Sequence, residues 1–439
     1  MTDGEGASRG LLAFLRRFSL DLGPLRGSRD FRFLLGGGVI SALGAQAALV
    51  ALPYQIYLIS RSPVLVGLLG AFELGPMIVV SLLGGVFADR HDRRRIIVIA
   101  QCAVMTVTAT LFVISALGSP SVIAILLLGG TLAGCTSLDS TARGSVIPNV
   151  LGPDLLRGGL TLNYGLQQAC AIVGPGLGGL VIALVGVKGI YGFDALSCIA
   201  MIVAAAAIPP QPPHGPAAHP PIGRSIAEGL SFVACTKALA GSFVIDINAM
   251  TFGMPRALFA ALALSVYHDG AGGAGLLYAS IAVGGTVSVL TSRWVQEVVR
   301  LGRVVIVCVL LWGLAIIGAG LVRTIAPAAI LLALAGWADG ISAVCRTTIA
   351  QSLTPDRLRG RMSSVYGLVV AGGPRLGDIE SGLVAGLTGV LNSVLLGGAA
   401  CIVGVGVTMI AFPELAAYDA DAAMELVRAD NLQAEVAVI

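Results

Sequence analysis

Long apolar runs separated by short polar breaks repeat along nearly the whole chain. They cover 33 to 60, 64 to 88, 96 to 117, 121 to 144, 160 to 186 and 189 to 208. A second set covers 239 to 264, 271 to 293, 304 to 322, 327 to 351, 362 to 387 and 389 to 412. A hydrocarbon core about 30 Å thick takes about 20 helical residues, so each run is long enough for one crossing. Membrane β-strands need only about ten residues, and backbone in lipid must satisfy its own hydrogen bonds, so the runs predict helices. The pattern therefore predicts an all-α integral membrane protein with twelve transmembrane helices in two groups of six.

The polar breaks divide the chain further. Residues 1–32 form an Arg-bearing leading segment without a small-residue cleavage site. Residues 33–208 make a first six-helix bundle, 209–238 a linker, 239–412 a second bundle, and 413–439 an acidic tail. The stretch Pro209 to Gly223 holds seven prolines in fifteen residues, which excludes helix and predicts an extended spacer. After it, Ile226, Leu230 and Val233 fall on one helical face, as in a helix lying at the membrane interface. The segment LLAFLRRFSL in the leading residues has the same character.

Basic residues set the expected orientation. With the amino terminus in the cytoplasm, that side holds 20 of the 27 Lys and Arg, against Arg61, Lys188 and Arg323 outside and four within spans. Positive loops stay inside, so both termini are expected in the cytoplasm of a bacterial cell, in its inner or plasma membrane.

The two halves repeat. At an offset of 202 residues PDLLRGGLTLNYG, Pro153 to Gly165, overlies PDRLRGRMSSVYG, Pro355 to Gly367, with seven of thirteen positions matching. At 203, GLVIALVGV from Gly179 overlies GLVAGLTGV from Gly382; at 208, VGLLGA from Val66 resembles AGLLYA from Ala274. Two bundles of the same orientation, related by an axis along the membrane normal, form the parallel-repeat architecture of secondary transporters, with a substrate site near the midplane between them.

Composition narrows the function. The chain has 439 residues, 56% apolar and 12% charged, with a net charge of +3 and mean hydropathy +0.91, which excludes a soluble multi-domain enzyme. The basic residues form no single face with interleaved aromatics, so nucleic acid is not an expected partner. Eight isolated cysteines without CxxC and only four His give no metal or redox chemistry and no expected cofactor. No GxxxxGK[ST] is present, which argues against an ATP-driven pump.

Two motifs carry a family resemblance. The loop after the second run reads Gly85-Val-Phe-Ala-Asp89-Arg90-His-Asp92-Arg93-Arg94-Arg95. It resembles the GxxxDRxGRR signature of the major facilitator superfamily, with Asp92 where that signature has Gly. Gly174-Pro175-Gly176-Leu177-Gly178-Gly179 resembles the GPxxGG motif of its antiporters. Pro53-Tyr-Gln55-Ile-Tyr57, SPVLVGLLGA, the proline linker and TPDRLRGRMSSVYGLV look like its enterobactin-exporter branch, over about residues 30 to 410. The resemblance implies the major facilitator fold, alternating access, and gating or conformational roles for Gly85, Asp89, Arg90, Arg93, Asp139, Gly174, Pro175, Gly178 and Gly179. It also implies that Asp89 latches onto the opposite half and that the loop Arg residues pair with an acid at the end of the fourth span, Asp139. Gly at position 92 would tolerate positive φ, and Asp does so less readily.

Ionisable residues inside spans cost about 2.5 to 3.5 kcal/mol each at a helix centre, so each calls for a function or a partner. Asp139 and Arg143, four apart on one face, are expected to pair and steady the loop; Arg346 is the counterpart of Arg143 in the repeat. Glu73, Asp246, Asp378 and Glu380 are proton-coupling candidates, because burial raises a carboxyl's proton affinity and a nearby Arg lowers it. The alternative is that each acid is permanently paired with Arg256 or Arg375, and the i, i+3 spacing of Arg375 and Asp378 favours pairing there. Arg256 and Arg375 are candidate contacts for an anionic or polyphenolic ligand, on opposite sides of a cavity in the second half. Gln46, Tyr54, Gln168 and Trp337 are candidates for further substrate contact, or plain helix packing.

The expected function is a proton-coupled secondary exporter of a small organic solute such as a catecholate siderophore. It would be a monomer whose partners are substrate, protons and lipid. Multidrug or macrolide efflux, and a non-transporting receptor or lipid-handling role, stay open.

Overall fold

The computed structural model describes residues 23–118, 120–212, 222–355 and 358–420, without the side chains of 82–90, 153, 222–226, 359–360 and 363–364. The described residues are helical apart from short connections, with no strand among them. The leading residues 1–22, the segment LLAFLRRFSL, most of the proline linker and the tail from 421 lie outside them, as does Arg357.

Six long helices form the first half: α1 (Arg29–Ser60), α2 (Pro63–Arg90), α3 (Arg93–Ala116), α4 (Val122–Val150), α5 (Pro153–Val185) and α6 (Val187–Ala207). The second half has α7 (Lys237–Phe252 and its continuation to Val266), α8 (Gly270–Thr291), α9 (Leu301–Leu321), α10 (Ile325–Leu353), α11 (Arg359–Thr388) and α12 (Val390–Ala411). Eleven of these twelve are long and apolar enough to cross a membrane. The other, α11, has the length, at 30 residues, but carries Arg375, Asp378 and Glu380 within it.

Packing repeats with the sequence. Helix α1 lies on α5 and α6, α2 on α4, and α3 on α4 and α6; in the second half α7 lies on α11 and α12, α8 on α10, and α9 on α10 and α12. The halves meet along two seams, α2 against α11 and α5 against α8. Small residues close both, since van der Waals fit rather than hydrophobic burial holds helices together in lipid. A Cβ on Gly67 of α2 would stand 2.8 Å from Cα of Gly382, and one on Gly275 of α8 would stand 3.2 Å from Cα of Gly179. Gly67 and Gly275 are equivalent at the 208-residue offset, and Gly179 and Gly382 at 203.

The seventh span departs from the continuous helix expected over 239 to 264. It stops at Phe252 and resumes as a 3₁₀ turn (Arg256–Leu258), one α-turn (Phe259–Ala261) and a π-turn (Leu262–Val266). Pro255 supplies the physical reason: it has no N–H to continue the ladder, and its ring opposes the preceding turn. Side chains of neighbouring helices satisfy the freed carbonyls. Trp312 Nε1 donates to Gly253 O at 2.7 Å, and the Tyr278 hydroxyl donates to Arg256 O at 3.0 Å. The Tyr278 ring also stacks edge-on against Phe259, centroids 5.0 Å apart.

The linker helix, Ile222–Cys235, rests at the foot of α11. Glu228 pairs with Arg361, Val233 is buried and Leu230 is exposed, so one part of its apolar face is covered by protein and another is not.

Candidate functional site: a charged cluster between the halves

Four charged side chains meet about midway along α2, α7 and α11. Arg256 Nη2, presented by the break in α7, lies 2.7 Å from Asp378 Oδ2 of α11 in a charge-assisted hydrogen bond. One turn before Asp378, Arg375 Nε lies 3.5 Å from Glu73 Oε2 of α2. That second contact crosses from one half to the other. It is an ion pair without hydrogen-bond geometry: Arg375 Nε and Asp378 Oδ1 are buried without a hydrogen-bond partner among the described residues. Arg375 instead donates from Nη1 to Ala371 O at 2.9 Å. Two acids and two guanidiniums balance in charge, while their hydrogen-bonding capacity is only partly used.

This geometry changes two expectations. The i, i+3 partner of Asp378 is replaced by Arg256, because the bend after Pro255 brings that guanidinium closer than the neighbour on the same helix. Arg256 and Arg375 therefore do not face each other across a cavity in the second half; they converge on one stretch of α11. A small cavity touches the cluster, lined by Pro53, Gly70, Glu73, Arg256, Tyr278 and Asp378 among others.

The other candidates fall elsewhere. Asp246 of α7 lies 2.9 Å from Arg346 of α10, which is also 3.3 Å from Asp339 and donates to Ser342 at 2.7 Å. Its partner is thus neither Arg256 nor Arg375. Glu380 is half-buried and makes no ion pair or hydrogen bond among the described residues. Tyr54 is buried in the main core, and Trp337 donates to Thr291 at 2.8 Å between α10 and α8. Gln168 of α5 lies near Gly285 of α8. Gln46 packs against Gly174 and lines a cavity within the first half.

The motif residues occupy structural junctions. A Cβ on Gly178 would meet Ala47 O of α1 at 2.7 Å, and one on Gly179 would meet Ala271 O of α8 at the same distance. The Gly174, Pro175, Gly178, Gly179 motif thus packs α5 against its own half and against the other. In the loop motif, the side chains of Gly85, Asp89 and Arg90 lie outside the described ones. Arg93 Nη1 donates to Ser145 O of α4 at 3.1 Å, while Asp139 pairs with Arg143 at 2.5 Å; the acid expected for Arg93 is occupied by its own helical neighbour. Asp92 sits at φ −58°, so no left-handed residue is needed there. Its Oδ1 accepts from Arg94 N at 3.0 Å and from Gln211 N at 2.9 Å, capping α3 and holding the start of the linker.

Two acids that the sequence analysis passed over complete the set: Asp339, the second partner of Arg346, and Asp194 of α6, buried at 2% exposure. Each was visible as a single acid in an apolar run.

Two bundles of one repeat, closed on each other over a charged cluster between them, have the architecture of a secondary transporter of the major facilitator type. The chain belongs to the transmembrane secretion effector family of that superfamily, which it matches over residues 20–438. It is a multi-pass membrane transporter, not an enzyme. The enterobactin exporter of Citrobacter koseri is 30% identical over 389 residues, 88% of this chain and 92% of that one. The enterobactin exporter of Salmonella typhimurium is 29% identical over 388 residues, 88% and 93% of the respective chains. Among solved structures, a nucleoside transporter superposes with a TM-score of 0.73 at 13% identity, over 88% of this chain and 100% of that one. An inward-facing bacterial homologue of ferroportin gives 0.66 at 16% identity, over 88% and 98%. At such identities these two share the fold.

Proposed function

We propose that this chain is a proton-coupled exporter that moves a catecholate siderophore of the enterobactin kind out of the cytoplasm by alternating access. The observation that carries the reading is the midplane cluster. Two guanidiniums lie between the halves, one held across the seam by Glu73 and one held by Asp378, with hydrogen-bonding capacity left over. Catecholate oxygens are anionic, paired and coplanar, which suits bidentate contact and stacking on a guanidinium. The enterobactin exporters that it resembles over most of its length support the choice of cargo.

In the proposed cycle the protein works as a monomer in the inner or plasma membrane, both termini cytoplasmic. The halves are pinched where Gly67 meets Gly382 and Gly179 meets Gly275, toward the α1–α2 loop, so with the termini cytoplasmic the proposed cycle starts closed outward. Substrate entering from the cytoplasm displaces Glu73 from Arg375 and Asp378 from Arg256. With the cross-seam pair broken, the halves part outward, and the freed carboxylates take protons that return them inward. Glu380 keeps its place as a coupling candidate; Asp246, held by Arg346, serves the fold of the second half. Asp89 and Arg90 latch the cytoplasmic ends, and the Gly174 to Gly179 segment lets α5 bend against α8.

The test is export of enterobactin from iron-starved cells that lack their own exporter. The parental chain is expected to restore secretion without changing macrolide susceptibility, while Arg256→Gln and Arg375→Gln restore none. Secretion at the parental rate by both variants contradicts the assignment, and drug resistance without secretion favours multidrug efflux.

A further inference from the structure

A second polar site lies inside the first half, away from the charged cluster. A cavity of about 350 Å³ is enclosed by α1, α3, α4, α5 and α6, and Asp194 lines it beside Gln46, Gln101, Asp139, Arg143 and Gln167. Ala45, Ser140 and Gly144 on its lining are exposed, so it is open between α1 and α4.

Asp194 is the unusual member. Every other buried acid in a span that has been described touches an Arg: Asp139 has Arg143, Asp246 has Arg346 and Asp378 has Arg256. Among the described residues Asp194 has only the hydroxyl of Ser197, 3.5 Å from its Oδ1. Helix α1 closes over it so tightly that a Cβ on Gly44 would stand 2.7 Å from that same oxygen. The groups facing it offer no spare cation. From α1 come Ser41 and Gly44, from α3 Gln101, from α5 Gln167, and from its own helix Cys198. Helix α4 contributes Asp139 and Arg143, paired to each other, with Arg143 also donating to Ser41 at 3.2 Å. An isolated carboxylate withdrawn from water takes a proton rather than stay charged.

We propose that Asp194 binds and releases a proton during the transport cycle, with the cavity as its route to water, so that the first half carries a coupling site separate from the substrate cluster. Closure of α1 over α6 shields the protonated acid, and opening of the cavity to water lets it ionise. The proton site rests on the transport reading for its role but not for its existence.

The test uses the full chain in lipid nanodiscs. Dicyclohexylcarbodiimide adds covalently to protonated carboxyls in apolar surroundings, and mass spectrometry locates the adduct without any variant. Label is expected on Asp194 and to fall at least tenfold as pH rises through the titration, with Asp139 and Asp378 unlabelled. No label on Asp194 at any pH overturns the proposal. In proteoliposomes loaded with enterobactin, Asp194→Asn is expected to keep downhill exchange and lose at least tenfold of the acceleration by a proton gradient, with Asp194→Glu restoring part. Full gradient drive in Asp194→Asn also overturns it. If parental vesicles move no catecholate, the cargo assignment fails while the labelling still decides the proton.

Discussion

The seams α2/α11 and α5/α8 are equivalent under the sequence repeat and differ in charge. Both close through a repeat-related glycine pair, Gly67 with Gly382 and Gly275 with Gly179. Around the first pair stand Glu73, Arg375 and Asp378; the equivalent positions in the second seam are Ile281, Ile172 and Pro175. Close approach is therefore common to both seams, and charge belongs to one of them. Apolar contact alone separates in lipid without leaving an unpaired ion, whereas the charged seam must exchange partners to open. In the proposed cycle this asymmetry gives hinge-like motion to α5/α8 and substrate-controlled opening to α2/α11.

The same contrast recurs inside the halves with acid and hydroxyl interchanged. Arg143 pairs with an acid on its own helix, Asp139, and a hydroxyl on α1, Ser41. Its counterpart Arg346 bonds the hydroxyl at the position equivalent to Asp139, Ser342, and pairs with an acid on α7, Asp246, as well as with Asp339 on its own helix. Each arrangement neutralises a buried guanidinium and ties the fourth helix of its half to the first.

Substitutions at four places would sharpen or break this comparison. The largest effect is expected from bulk at the glycine pairs: Gly67→Leu and Gly179→Leu should each abolish transport, because a side chain has backbone on the far side and nowhere to go. Transport retained by Gly67→Leu alone would show that α2/α11 need not close. Next, Arg256→Gln strands Asp378, and removing one member of a buried pair costs about 3 to 5 kcal/mol. Thermal melts in detergent should show that loss, with most of it recovered in Arg256→Gln/Asp378→Asn; no comparable loss is expected from Ile281→Leu on the other seam.

A smaller loss, about 1 to 3 kcal/mol, is expected for Trp312→Phe, which leaves the buried carbonyl of Gly253 without a donor. Melting at the parental temperature would mean that the α7 break holds without that donor. The smallest is Asp92→Gly. It restores the residue that the family signature has, yet removes a helix cap, and substitution of a cap by Gly costs only a few tenths of a kcal/mol. Increased stability would show that the loop prefers the left-handed geometry after all.

Much of this organisation can be read in the residues. Long apolar runs mark the helices, and the strings around Gly67, Gly179, Gly275 and Gly382 repeat at fixed offsets and meet as contacts between the halves. Partner choice is less legible. Spacing along a helix favours Arg375 with Asp378, but a bend in another helix brings Arg256 in first, and one-dimensional spacing holds no record of that bend. Pro255 was its visible cause, overlooked because the surrounding residues stay apolar and most other in-helix prolines, such as Pro53 and Pro76, leave their helices unbroken. Asp194 lacks any sequence neighbour of opposite charge, so nothing local drew notice to it; its significance lies in the absence of a cation across the packed helices.

The central claim is that the Glu73–Arg375 pair holds the halves together at the α1–α2-loop end and yields to substrate. Spin labels at Ser62 and Leu387, in a chain freed of its eight native cysteines, would report the distance between α2 and α11 by pulsed electron resonance. A longer distance population is expected to grow when enterobactin is added, and to dominate without it in Glu73→Gln/Arg375→Gln. An unchanged short distance in both cases would contradict the account.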